Sequence, residues 1–177
     1  MATASNQLDP EKQPALTRID AYEEWRRREG VPLVGGVYLK DINAVEVAPW
    51  PRKGKGVKGA LCYLDGDDES DEHIVELSPG DYTDPLRHLY TEAIYVLSGR
   101  GSTTVWRDYG VKQTFEWGPG SYFVLPTNTS HQFFNASVSQ PAKWFSVTDL
   151  PVLLRRWASE DFIFNNPYDF HDRYDSE

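Results

Sequence analysis

The chain of 177 residues contains one cysteine, Cys62. A single thiol excludes an intrachain disulfide and a cysteine-built zinc site, and it points to a reducing, cytoplasmic setting. No apolar run approaches the roughly 20 residues that a membrane-spanning helix needs, and mean hydropathy is −0.57. The opening Met1-Ala2-Thr3-Ala4-Ser5-Asn6-Gln7 lacks the basic-then-apolar order of a secretory leader. Basic residues are the minority, with 18 Lys+Arg against 27 Asp+Glu and a formal net charge of −9. An acidic surface repels phosphate backbones and anionic lipid, so neither nucleic acid nor membrane is an expected partner. Histidines number only 4: His73, His88, His131 and His171. Any imidazole chemistry must come from these.

Aromatic residues make up 14% of the chain, and 13 Gly and 12 Pro punctuate it. That balance predicts short strands joined by frequent turns rather than helical bundles. Residues 1–16 are polar and small and read as a mobile tail, leaving 17–177 as one domain without internal repeats. Thr17 is the expected N-cap of a short helix, with Asp20 at the capping-box offset and Gly30 as the terminating residue. From residue 45 the pattern turns to strands, expected over 45–50, 60–64, 73–77, 92–98, 102–106, 113–117, 122–125, 131–135 and 143–148. A second short helix is expected over 151–160, where Leu153, Leu154 and Trp157 share a face. The aromatic stretch 162–174 is too apolar for a solvated tail and is expected to pack across the main body. The architecture predicted is all-β, a sandwich or barrel.

Two segments carry the chemistry. In an extended chain side chains repeat with period two, so Leu86, His88, Tyr90 and Glu92 share one face. His88 and Glu92 then converge, and His131, after the Pro126-Thr127-Asn128 turn, supplies a third group from across the fold. Two imidazoles and a carboxylate suit a divalent transition metal that keeps open positions for substrate or dioxygen. Taken singly, His88 or His131 is more often a hydrogen-bonded structural histidine than a ligand, and an unpaired Glu92 would be costly to bury.

These segments resemble the two signature motifs of the cupin superfamily. Gly80, His88, Glu92 and Gly99 match the first, and Gly120, Pro126, His131 and Asn135 match the second. The resemblance covers about residues 44–148. It implies a cupin-type antiparallel β-barrel (jelly-roll), one bound metal ion (Fe, Mn, Ni or Zn) on His88, Glu92 and His131, and a homodimer. The dimer would bury apolar strand positions such as Ala93, Tyr95 and Leu97. Two positions depart from the motifs. Leu86 stands where a histidine is expected, and Asn128 stands for a glycine whose positive φ asparagine tolerates. The activity implied is that of a cupin enzyme acting on a small organic molecule, metal-dependent and dioxygenase-like. The alternatives are a non-oxidative cyclase, decarboxylase, isomerase or lyase, and a metal-free binding protein. His88, Glu92 and Tyr90 are the catalytic candidates. Leu86, Tyr122, Phe133 and Trp144 are the expected pocket walls, which suit an aromatic or polyketide-like ligand better than a sugar phosphate.

Other features read as structural. The basic, Gly-rich 52–59 segment lacks phosphate-loop spacing and is taken as a solvated hairpin loop. The acidic run 65–72 lacks a calcium-loop pattern and is taken as a solvated turn. His73 is taken as a strand-edge residue, Arg87 as structural, Cys62 as a buried strand residue and His171 as a surface residue.

Overall fold

The computed structural model describes residues 20–64, 68–108 and 111–170. The expected tail at 1–16, Thr17 and His171 lie outside that range. Among the described residues the order is α1 (Ala21–Glu29), β1 (Leu33–Gly36), β2 (Ala48–Pro49), β3 (Val57–Leu64) and β4 (Asp71–Leu77). There follow β5 (Glu92–Ser98), β6 (Gly101–Trp106), β7 (Gln113–Trp117), β8 (Tyr122–Leu125), β9 (Ser130–Asn135) and β10 (Ala142–Thr148). Helices α2 (Leu150–Trp157) and α3 (Glu160–Ile163) close the described chain.

The strands form two sheets. The larger runs β1-β3-β4-β10-β5-β8, with β2 pairing on β3, and the smaller runs β7-β6-β9. They face each other as a jelly-roll sandwich but do not close, so the expected barrel is an open one. All described pairings are antiparallel except β1 on β3, a strand the sequence pattern did not reveal. The sheets meet through Phe133 of β9, which stacks on Trp144 of β10 at 4.7 Å between ring centroids. Their alternation is the expected one. Strand β6 alternates buried and half-buried residues along its length, as a strand with one core face does.

Strand β4 departs from expectation. Asp71 and Glu72 begin it as buried residues rather than ending a solvated loop. His73 is not at an edge either: β4 lies between β3 and β10, and His73 is 1% exposed.

Helix α1 covers one end of the larger sheet. Its N-cap is Asp20, not Thr17, and the Asp20 carboxylate accepts the backbone N–H groups of Tyr22 and Glu23. Glu23 and Glu24 in its first turn and Arg26, Arg27 and Arg28 in its last complement the helix dipole. Gly30 ends it at φ 69°, a left-handed conformation that glycine adopts without a Cβ penalty. The helix buries Tyr22 and Trp25. Next to them sits Trp50, wholly buried because Gly59 on β3 leaves room for it; a Cβ at Gly59 would lie 2.3 Å from the indole. The expected second helix divides into α2 and α3. Beyond them Phe164 folds back onto the sandwich and pairs with His88, as the apolar character of this stretch predicted.

Candidate metal centre and cavity

The stretch from Gly80 to Thr91 is not a regular strand. It is held extended by isolated pairings, Leu86 with His131 and His88 with Phe164. Leu86 and His131 exchange both backbone hydrogen bonds, at 2.9 and 2.8 Å. The turn before His131 is fastened by Asn128, at φ 57°, whose amide N–H donates to His88 O at 2.8 Å. Asparagine thus fills the left-handed position in place of glycine. These local ties bring the two motif segments into register across the fold.

His88, Glu92 and His131 come together, with one ligand atom from each lying within 4.8 Å of the others. All three are buried. His131 Nδ1–H donates to Thr129 O at 3.2 Å, which leaves Nε2 as a bare acceptor. That Nε2 is buried and has no hydrogen-bond partner among the described residues. Burial, and after it the neighbouring His88 imidazole, push the His131 pKa down to about 3, so the ring is neutral. His88 Nδ1–H donates to Tyr90 O at 3.0 Å, and Nε2 lies 3.0 Å from Glu92 Oε2. Burial works to raise the Glu92 pKa. The Lys53 ammonium and the His88 hydrogen bond outweigh it and hold the carboxyl well below its usual range. The donor set therefore fits a divalent cation. Each imidazole is fixed through Nδ1 by a backbone carbonyl, the outer arrangement that orients metal-binding histidines, and the carboxylate is charged.

Lys53 was not anticipated. It sits on a short 3-10 turn, Pro51–Lys53, inside the segment read as a solvated loop, yet it is 5% exposed. Its Nζ lies 3.7 Å from Glu92 Oε1 and 5.0 Å from the centre of the Trp50 ring. Nothing local in the sequence separates Lys53 from Lys55 and Lys58. Only the packing of Trp50 beneath it does.

A cavity of about 180 Å³ opens beside His88. Leu86, Tyr90 and Arg87 line it from the motif side, and Trp25, Trp50, Lys53, His73 and Phe164 from the other. The Tyr90 ring stacks face to face on His88 at 3.6 Å. Its hydroxyl pKa is pushed well up by burial and by the Glu92 charge, so it stays a neutral phenol. The other expected walls are elsewhere. Tyr122 is 67% exposed on β8, and Phe133 and Trp144 are stacked core between the sheets. Period-two parity places a side chain on a face but does not say what that face packs against. Arg87 chelates the Asp108 carboxylate with both contacts at 2.9 Å, a structural role as expected, while also lining the cavity. Cys62 is buried on β3 with its thiol pushed up to about 12 by burial and by Glu72 and Asp71, which leaves it unreactive.

The two-sheet jelly roll, with a histidine–glutamate–histidine cluster in its interior, is a cupin fold. The Cupin_2 family profile (cupin domain) matches residues 73–148, and the chain belongs to the cupin superfamily. Solved structures agree on the fold. The polyketide cyclase RemF from Streptomyces resistomycificus matches with a TM-score of 0.52 and 26% identity, over 63% of this chain and 79% of that one. The Lactobacillus farciminis oxalate decarboxylase matches with a TM-score of 0.52 and 19% identity, over 61% of this chain and 32% of that one. The Bacillus subtilis oxalate decarboxylase, which has Mn(II) centres, matches with a TM-score of 0.50 and 18% identity, over 63% of this chain and 33% of that one. This chain thus spans about a third of the length of the decarboxylases. No curated protein matches the sequence. No helix among the described residues is long and apolar enough to cross a membrane.

Proposed function

We propose that this cupin is a metal-dependent enzyme acting on a small organic molecule in the cavity beside His88. The observation that carries the reading is the buried, partnerless Nε2 of His131, set within reach of His88 and Glu92. An orphaned acceptor in a polar cluster is costly unless something satisfies it. His88, Glu92 and His131 would hold the ion, which when bound supplies Lewis-acid polarisation of a coordinated substrate oxygen. Leu86 offers no lone pair, so one side of the set stays free of protein donors. Tyr90 braces His88, and the aromatic walls exclude water.

Three protein ligands with open positions also suit dioxygen chemistry. The non-oxidative reading is favoured by a specific observation, the Lys53–Glu92–His88 chain of ionisable groups beside the cavity. Such groups move or hold protons without an oxidant. The two relatives' names, a cyclase and a decarboxylase, point the same way.

Elemental analysis of the purified chain tests the metal. About one equivalent of transition metal in the wild type, lost in His131→Ala, is expected. Negligible metal in both after loading with Mn(II), Fe(II), Ni(II) or Zn(II) would overturn the reading. Oxygen uptake during turnover separates the oxidative from the non-oxidative form.

A further inference from the structure

The lysine and arginine side chains that line the cavity are Arg52, Lys53 and Arg87. The two arginines are committed. Arg52 donates to Glu29 at 2.7 Å and to Glu160 at 3.0 Å. Arg87 chelates Asp108 and donates to the carbonyls of Asn128 and Tyr168. Lys53 is different. Its ion-pair partner, Glu92 Oε1, is 3.7 Å from Nζ, too far for a hydrogen bond. The Trp50 ring, centred 5.0 Å away, meets only one side of an ammonium that carries three N–H donors. Nor is Nζ sealed from solvent. Among the described residues the buried polar atoms without a partner include His131 Nε2 but not Lys53 Nζ. The 5% of Lys53 that stays accessible therefore includes its ammonium, and the cavity is where Lys53 is open.

The backbone holds this ammonium in place. Asp84 N–H donates to Lys53 O at 2.9 Å, and the next residue, Gly54, takes φ 127° and runs so close that a Cβ there would lie 2.7 Å from Asp84 N. The turn is thus fastened to the motif segment that carries His88. Charge says what the ammonium would meet. Within the donor set only Glu92 is negative, and it faces both Lys53 and any divalent ion that the cluster holds. Buried positive charge left in excess is costly, so an anionic ligand is favoured. The apolar walls that keep accessible surface are Leu86 and Phe164. The volume of about 180 Å³ is that of a one-ring site; an apolar cavity of about 150 Å³ accepts benzene.

We infer that Lys53 is a substrate-binding residue that accepts the carboxylate of a small organic acid, whose one-ring apolar body lies against Leu86 and Phe164. This deepens the proposed function and rests on its reading of the cavity as the substrate site. Lys53 lies outside residues 73–148, the part that matches the family. The selectivity for an acid is therefore built by this chain's own flanking segment.

The test is a binding series of benzoate, benzamide, acetate and oxalate, followed by calorimetry on the full, metal-loaded chain, with metal content measured on the same samples. Benzoate is expected to bind about tenfold more tightly than benzamide, its neutral isostere, the worth of a charge-assisted hydrogen bond. It should also exceed acetate, which lacks the ring. Lys53→Met should cut benzoate affinity about tenfold and leave that of benzamide within about twofold, with circular dichroism confirming the fold. Lys53→Gln, neutral but polar at its tip, should do the same and takes over if the methionine variant does not fold. Equal affinity of the wild type for benzoate and benzamide would overturn the inference. A benzoate preference untouched in the folded variants would overturn it by placing the carboxylate on the ion alone. Oxalate bound more tightly than benzoate would overturn the apolar body. If the protein takes up no metal, the metal reading fails by itself. A benzoate preference that depends on Lys53 would then still support this inference, and its absence would overturn both.

Discussion

The Lys53 ammonium and the Glu92 carboxylate form an ion pair inside the site, 3.7 Å apart, with both side chains buried. A cation thus already stands at the carboxylate that would ligate a metal. Removing one partner of a buried pair leaves an uncompensated charge, at a cost of about 3–5 kcal/mol. Lys53→Met in chelator is therefore expected to melt several degrees below the wild type. Added divalent metal should raise its melting temperature more than it raises that of the wild type, because the ion replaces the lost charge without competition. Thermal melts with and without Mn(II) check this. Equal metal shifts in the two proteins would show that Lys53 and the ion do not share Glu92.

Leu86→His should increase metal affinity. Leu86 is paired through its backbone to His131 and lines the cavity beside His88, so an imidazole there joins the donor set. If no ion satisfies the new ring, burying it costs about 1–3 kcal/mol. Metal stoichiometry after identical loading, followed by chelator competition, gives the comparison. A gain of tenfold or more is expected. Turnover need not follow, since the new ligand occupies the side that Leu86 leaves free.

Acidification should strip the metal and destabilise the chelated protein. His131 titrates near 6.5 when unfolded and about 3 when folded. Between those values the unfolded chain binds more protons, so stability rises with pH and is lost as pH falls through the window. The slope from this one group is at most about 1.4 kcal/mol per pH unit. Glu92, held below its ordinary range, adds loss in the same direction at the acid end. Denaturant melts of chelated wild type and His131→Phe from pH 7 to pH 4 should show a shallower dependence in the variant. Metal content that is unchanged down to pH 4 would remove His88 and His131 as ligands.

We propose that a second copy of the chain covers the outer face of β5 and β8. Tyr95 faces Tyr122, and Ala93 faces Val124, across that pair of strands. Tyr95, Tyr122 and Val124 are 46%, 67% and 49% exposed. Strand β8 ends the larger sheet, so pairing there would also cover an open edge. Sedimentation at tens of micromolar should give twice the 20.2 kDa of one chain. Tyr122→Lys, on the exposed face of β8, should shift it to the monomer. A monomeric wild type would dismiss the dimer.

The periodic strands were legible in the sequence because each reports its own burial. The bounds expected for 92–98, 113–117 and 122–125 coincide with those of β5, β7 and β8. The convergence of His88, Glu92 and His131 was legible too, since the motif spacing ties each residue to a turn or pairing nearby. What tertiary structure alone decided is the far wall of the cavity. His73 looks like a strand end until Asp71, Tyr22 and Thr148 gather behind it from β4, α1 and β10. Lys53 looks like its solvated neighbours until Trp50 settles against Gly59. Tyr122 has the composition of a pocket wall, yet it lies on an outward face. Local patterning encodes which side of a strand is apolar. Which groups meet across a cavity depends on contacts between segments 49 or 77 residues apart, such as Tyr22 with Asp71 and Asp71 with Thr148, and no local period carries that information.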